Sequence, residues 1–315
     1  MNNTAVKPKI VYICGMGHNG STSLDLLLDL HPETLGTSQL NDLLVLYFPS
    51  KKESPTERDR FWDQLTDQLS QDQRAALATE NESILKERRL LSFIFSKAKR
   101  RKYAAANEAL IDKLLVAKDR SIIIDSSKNI SRCLGLLETK YDLRVIHLTR
   151  DVRGYVNSHN KRRGENGLKP IYLKPTLVWL AKNVAATFAA KPKAKHYLHV
   201  RYEEMMFRPK EFLQRISDFI ELPLEPCKQA LMGVDPLKPS DSMGFEGNRV
   251  LHGRKDVYLD RNRVNRSGVF QSRLYWMTLG WLSRFWGYRF SETYPVFDNS
   301  LQDPASESTS ATNPN

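Results

Sequence analysis

The chain has 315 residues, 41% of them hydrophobic, and its 48 Lys and Arg outweigh 36 Asp and Glu to give a formal charge of +12. That apolar content is enough to bury a core, which excludes a chain disordered over most of its length, and the length fits one large α/β domain or a domain carrying an insertion. The charge points to an anionic partner (a nucleotide, an acidic or sulfated glycan, nucleic acid or an acidic membrane face) without choosing among them.

Residues 1–8 are polar and read as a disordered lead without the apolar stretch of a signal peptide. Ile10-Val11-Tyr12-Ile13 predicts a strand, and Leu24-Asp25-Leu26-Leu27-Leu28-Asp29-Leu30 a helix stopped by His31-Pro32. Residues 50–118 differ in character: they are charged, and Phe61, Leu65 and Leu69, then Leu90, Leu91, Phe93 and Ile94, recur at helical intervals. This stretch is read as a helical insertion. Short strands then return at Ile122–Ile124, Arg144–Thr149 and Tyr197–Val200, with helices expected over Gly154–Lys161 and Pro209–Leu222. The alternation predicts an α/β, P-loop-like three-layer fold with a central, mainly parallel sheet. One domain is expected over 9–297, with a basic loop at 233–273 and a disordered tail at 298–315.

Cys14, Cys133 and Cys227 are far apart with no metal-ligand spacing; Cys14 and Cys133 are read as reduced, buried fillers, which favours a cytoplasmic setting. No apolar run is long enough to span a bilayer. The aromatic segment Leu274–Phe290 fits a membrane-surface helix or a packed C-terminal helix, and packing is expected. The runs Lys97–Lys102 and Lys161–Arg163 read as solvated helix faces before they read as glycan or nucleic-acid sites.

Chemistry concentrates in two places. Gly15-Met16-Gly17-His18-Asn19-Gly20-Ser21-Thr22 joins the first strand to the first helix, the setting in which backbone N–H groups cradle a phosphate. Its spacing is that of a nucleotide P-loop, but Ser21 stands where the lysine that reaches the β- and γ-phosphates belongs. A phosphate ligand lacking a γ-phosphate is therefore expected. The second place is Thr149-Arg150-Asp151-Val152-Arg153, which puts Arg150 at a strand end, where ligands bind in doubly wound folds, and Ser158 on the following helix.

Together these segments resemble the cofactor sites of the sulfotransferase superfamily, which uses 3′-phosphoadenosine 5′-phosphosulfate. His18-Asn19-Gly20-Ser21-Thr22 is similar to the family's [KR]-S-G-[ST]-[ST] loop, and Arg150 through Ser158 to its R-[DN]-P-R-x-x-x-x-S segment, with Val152 in place of proline. Val200-Arg201-Tyr202-Glu203-Glu204-Met205 is a third match, and the loop with Gly247-Asn248-Arg249 is closest to bacterial members. The resemblance implies transfer of a sulfuryl group to an acceptor hydroxyl. It assigns the 5′-phosphosulfate to Gly17, Asn19, Gly20, Ser21 and Thr22, the 3′-phosphate to Arg150 and Ser158, and the adenine to Tyr202. Arg249 and Arg254 are candidates for a loop closing on the 3′-phosphate. His18 takes the place of the family's cation at the leaving oxygen, where an adjacent phosphosulfate favours its charged form. Lys128 is a second cation at that oxygen. Gln39 replaces the acidic residue of the tyrosylprotein branch, leaving Asp42 as the carboxylate offered for the acceptor's proton. A carbohydrate hydroxyl is the expected acceptor, with no metal and no nucleic acid required. A kinase with a degenerate P-loop, using Asp125 for magnesium, and a non-catalytic basic glycan-binding protein stand as the alternatives.

Overall fold

The computed structural model describes residues 7–41, 57–85, 90–237, 259 and 269–292. Its centre is a five-stranded sheet formed by β1 (Lys9–Gly15), β2 (Thr34–Gly36), β3 (Ile122–Lys128), β4 (Asp142–Thr149) and β5 (His196–Arg201) in the order β2-β3-β1-β4-β5. Every neighbouring pair is parallel. Parallel strands need helical crossovers, which cover both faces. α1 (Ser21–Asp29) follows β1, and α6 (Ile130–Leu136) links β3 to β4. α7 (Val152–Glu165) and α8 (Leu173–Ala185) follow β4, the latter running into a π-helical turn at Ala186–Ala190. α9 (Tyr202–Phe207), α10 (Pro209–Ile220) and α11 (Lys228–Met232) follow β5.

Side-chain alternation along the strands builds the three layers. Ile10, Tyr12 and Cys14 of β1 face one way with Leu143 and Val145, into a core shared with α6 and the insertion. Val11 and Ile13 face the other way with Ile146, Leu148 and Val200, onto α1 and α10. Phe212, Ile216 and Ile220 form the buried stripe of α10, with Leu213 and Phe219 partly buried beside it. All three cysteines are free and buried.

The insertion is helical throughout its described part: α2 (Glu57–Asp67), α3 (Gln71–Leu85), α4 (Leu90–Phe95) and the long α5 (Lys97–Lys118). Leu65, Leu69 and Phe93 enter the first core, whereas Leu91 is exposed. Its polar anchor is Arg132 of α6. This side chain is fully buried, donates from Nε to Asp125 at 2.7 Å, and from Nη1 reaches Tyr103 Oη at 2.6 Å, Asn107 Oδ1 at 3.1 Å and Asn81 Oδ1 at 3.3 Å. Strand β3 is thereby tied to two helices of the insertion.

Several boundaries differ from the sequence reading. β3 extends to Lys128, past the strand expected at Ile122–Ile124, because its register with β1 continues through an irregularity to pair Cys14 with Lys128. The short β2 and the helix that begins at Tyr202 carry no strong periodicity and come from tertiary pairing and the β5 edge. The segment 274–290 packs as expected: α12 (Val269–Met277) and a 3₁₀ helix at Gly280–Trp286 bury Tyr275, Trp286 and Tyr288 against α7 and α8. Among the described residues no helix is long and apolar enough to cross a membrane.

Candidate functional site

The strand order puts β1 in the middle, with connections leaving to either side, so a crevice forms beyond its carboxyl end. Register brings the sequence candidates to that one edge: Gly15 pairs with Leu148, Cys14 with Lys128, and Thr149 with Arg201. Asp42, Arg249 and Arg254 lie outside the described residues.

The loop is pinned by its own sequence. Gly15 has φ 137°, and a Cβ there would stand 2.3 Å from the Leu148 carbonyl oxygen. Asn19 is buried and acts as a staple: Nδ2 donates to the Leu148 carbonyl at 2.7 Å, and Oδ1 accepts from the Ser21 N–H at 3.1 Å. Both ends of its amide are engaged inside the protein, so its side chain shapes the loop. Gly20, the N-cap of α1, has φ 90°, and a Cβ there would meet the Tyr202 ring at 2.3 Å. It provides no side-chain cap, and no acidic residue occupies the first turn, which leaves the positive end of α1 facing the crevice. Gly17 looks into open space. Ser21 is buried and Thr22 half-buried at the helix start.

Arg150 closes the loop from β4. Its Nη1 donates to the His18 carbonyl at 2.8 Å, and its guanidinium lies over the Tyr202 ring at 4.6 Å. The ring expected to meet adenine is therefore itself buried, packed between Gly20 and Arg150. Ser158 Oγ is 3.4 Å from His18 Nδ1, so the two halves of the motif meet directly. His18 takes a left-handed backbone, φ 62°, as does Lys128, φ 64°, at the end of β3. Burial, together with the nearby Arg162, His159, Arg150 and Lys128, pushes the His18 pKa down to about 4. With no anion bound its imidazole is neutral at pH 7, so the charged form expected from the sequence requires the ligand's negative charge. The same repulsion reflects cations gathered around one point, a setting that favours negative charge there.

Residues that the sequence reading passed over hold the β4–α7 turn. Glu203 Oε1 accepts from the Asp151 N–H at 3.0 Å, and its Oε2 accepts from Tyr288 Oη at 2.9 Å. Burial first, and then Asp151, raises its carboxyl to about 7. Arg153, three residues after Arg150, is a clasp: it pairs with Asp151 and donates to the carbonyls of Arg289, Phe290 and Glu292. Helical spacing was the available signal for His159 and Arg162, which follow Tyr155 and Ser158 along one face of α7. Asp125, the magnesium candidate of the kinase alternative, is buried and bound to Arg132 and Ser127.

The sulfotransferase family model matches residues 8–226, well over half of the chain and both halves of the crevice. The chain belongs to the sulfotransferase family. Its fold is similar to that of the sulfotransferase domain of the Synechococcus PCC 7002 olefin synthase, at 21% identity and a TM-score of 0.50, covering 90% of this chain and 96% of that one. Two further sulfotransferase structures match more loosely. The domain from the curacin biosynthetic pathway has 16% identity and a TM-score of 0.43, covering 71% of this chain and 77% of that one. STF9 from Mycobacterium avium has 15% identity and a TM-score of 0.42, covering 87% and 76%. No curated protein sequence matches the chain.

Proposed function

We propose that this sulfotransferase takes its sulfuryl group from 3′-phosphoadenosine 5′-phosphosulfate and passes it by in-line displacement to a carbohydrate hydroxyl. The observation that carries the reading is the meeting of the loop with Arg150 and Ser158 at His18, across more than a hundred residues of sequence. When bound, the cofactor supplies an activated sulfur with adenosine 3′,5′-bisphosphate as leaving group.

The roles of the chain's own residues follow from their chemistry. Backbone N–H groups of the Gly17–Thr22 loop, apart from the Ser21 N–H that Asn19 holds, together with the Ser21 and Thr22 hydroxyls, hold the 5′-phosphosulfate at the positive end of α1. Arg150 and Ser158 hold the 3′-phosphate, the guanidinium by charge-assisted hydrogen bonds. Tyr202 keeps that arginine in place, and its remaining edge serves the adenine. An anion beside His18 raises its pKa, and the imidazolium and Lys128 then donate to the oxygen on which charge develops. Asp42 is the carboxylate offered for the acceptor's proton; Arg249 and Arg254 complete the proposed cover of the 3′-phosphate.

The carbohydrate acceptor is supported by the basic insertion. Lys97, Lys99, Arg101 and Lys102 are exposed along α5. Lys97 and Arg101 approach Glu138, and Lys102 approaches Glu80, so part of this charge is already paired. The test is transfer of labelled sulfate from the cofactor to a polysaccharide, a phenol and a tyrosyl peptide offered in parallel. Label on the polysaccharide is expected. Label on the phenol or peptide alone would replace the acceptor, and phosphate transfer from ATP with no sulfate transfer would overturn the reading.

A further inference from the structure

Lined by none of the loop residues, a cavity of about 280 Å³ is floored by edge strand β5 and the end of β4 and roofed by α8, its π turn and the C-terminal 3₁₀ helix. The volume lies just below the usual range of about 300–1,000 Å³ for small-molecule sites, which limits the occupant to a slender group. Its walls are apolar: Leu180, Val184, Phe188, Leu282, Phe285 and Trp286. The polar groups of the floor satisfy one another. His147 Nδ1 shares a hydrogen bond with Tyr197 Oη at 2.7 Å and its Nε2 another with Asn183 Oδ1 at 2.9 Å, while Trp286 Nε1 donates to Thr187 Oγ1 at 3.0 Å. Burial pushes His147 to about 3 and His199 to about 4, so both imidazoles are neutral at pH 7. An occupant therefore gains apolar contact inside and no buried ion pair.

The mouth has a different character. Phe188 and Phe285 stand 70% and 79% exposed at its lip, large apolar surface that a water-filled opening leaves unrewarded. Lys191 lies beside them, exposed, with Nζ 5.9 Å from the Tyr197 ring centroid, and Lys193 and Lys195 continue the basic edge. The π turn that carries Phe188 is a rare geometry that is frequent at functional sites.

We propose that this cavity is a second binding site that takes an apolar chain with an anionic head: the chain enters between Phe188 and Phe285, and the head stays at Lys191. A free medium-chain carboxylate and the acyl chain of an acidic membrane lipid share this chemistry. Neither use involves the phosphate loop.

The test titrates the full chain with bromoundecanoate, whose bromine quenches tryptophan emission, using Trp286 at the cavity wall as reporter. Undecanol serves as the uncharged control. In parallel the protein is pelleted with phosphatidylglycerol or phosphatidylcholine vesicles. Saturable quenching is expected, weakened about tenfold or more in a Phe188→Ser/Phe285→Ser double variant and several-fold in Lys191→Glu. All three positions are exposed, so the fold should survive, and retained affinity for adenosine 3′,5′-bisphosphate verifies it. Quenching by the free carboxylate identifies a soluble ligand; pelleting with phosphatidylglycerol alone, lost in the same variants, identifies a lipid. Either result supports the site. No saturable binding in either arm, or binding that both variants leave unchanged, would overturn it.

Discussion

The phosphate crevice and the helical insertion are each organised around one buried arginine, and the two arginines are used in opposite ways. Arg132 is enclosed by Asp125, Tyr103, Asn81 and Asn107 and fastens two insertion helices to β3. Arg150 leans on the His18 carbonyl and the face of Tyr202, at the open edge of the sheet. A guanidinium surrounded by a carboxylate and amides is a structural tie. Arg150, which also feels the nearby Glu203 carboxylate, is positioned by a carbonyl and an aromatic ring at the edge where the proposed anion would bind.

The largest effect that can break this contrast is on stability. Arg132→Ala leaves Asp125 buried without its counter-ion and should cost about 3–5 kcal/mol, read as a fall in the denaturant midpoint. A loss no larger than that of a surface substitution would mean that the tie is not what holds the insertion. Arg150→Ala should do the reverse: stability changes little, while affinity for adenosine 3′,5′-bisphosphate falls by about tenfold to a hundredfold, as removal of a charged hydrogen-bond donor predicts. Calorimetric titration alongside thermal melts separates the two.

Gly20→Ala probes the loop itself. The new Cβ meets the Tyr202 ring in a left-handed backbone. A cost of about 1–2 kcal/mol is expected, with weaker bisphosphate binding because the Gly20–Tyr202–Arg150 stack is pushed apart. The smallest effect is the titration of His18. Its pKa is near 4 in the free protein and rises when an anion binds, so binding takes up a proton. Between pH 7 and pH 5 the wild-type affinity should therefore strengthen relative to that of His18→Gln, after the ligand's own titration cancels in the difference. Parallel pH profiles for the two proteins would show that His18 stays neutral in the complex.

Much of the crevice was legible in the sequence because it is built from local spacing. A strand, a glycine turn and a helix start are contiguous, and Arg150 and Ser158 sit at fixed offsets from the end of β4. What spacing could not give was the partner of each group. Asn19 resembles a phosphate ligand in sequence, but its amide meets a carbonyl 129 residues away. Glu203 and Tyr288 brace the β4–α7 turn from 52 or more residues away. The helicity of the insertion could be read from its apolar repeat, whereas the fastening through Arg132 depends on four groups drawn from three separate elements. The low pKa of His18 in the absence of an anion was hidden for the same reason: besides burial, the cations that lower it come from α7 and from the ends of β3 and β4.

In the proposed site the loop and Arg150 act together and leave a place for a 3′-phosphate. Calorimetric titration of adenosine 3′,5′-bisphosphate against adenosine 5′-monophosphate, in wild type and in Arg150→Ala, tests it most directly. The wild type is expected to prefer the bisphosphate at least tenfold and Arg150→Ala to lose that preference, with the monophosphate affected less. Equal affinity for the two nucleotides in the wild type, or a preference that survives the loss of Arg150, would contradict it.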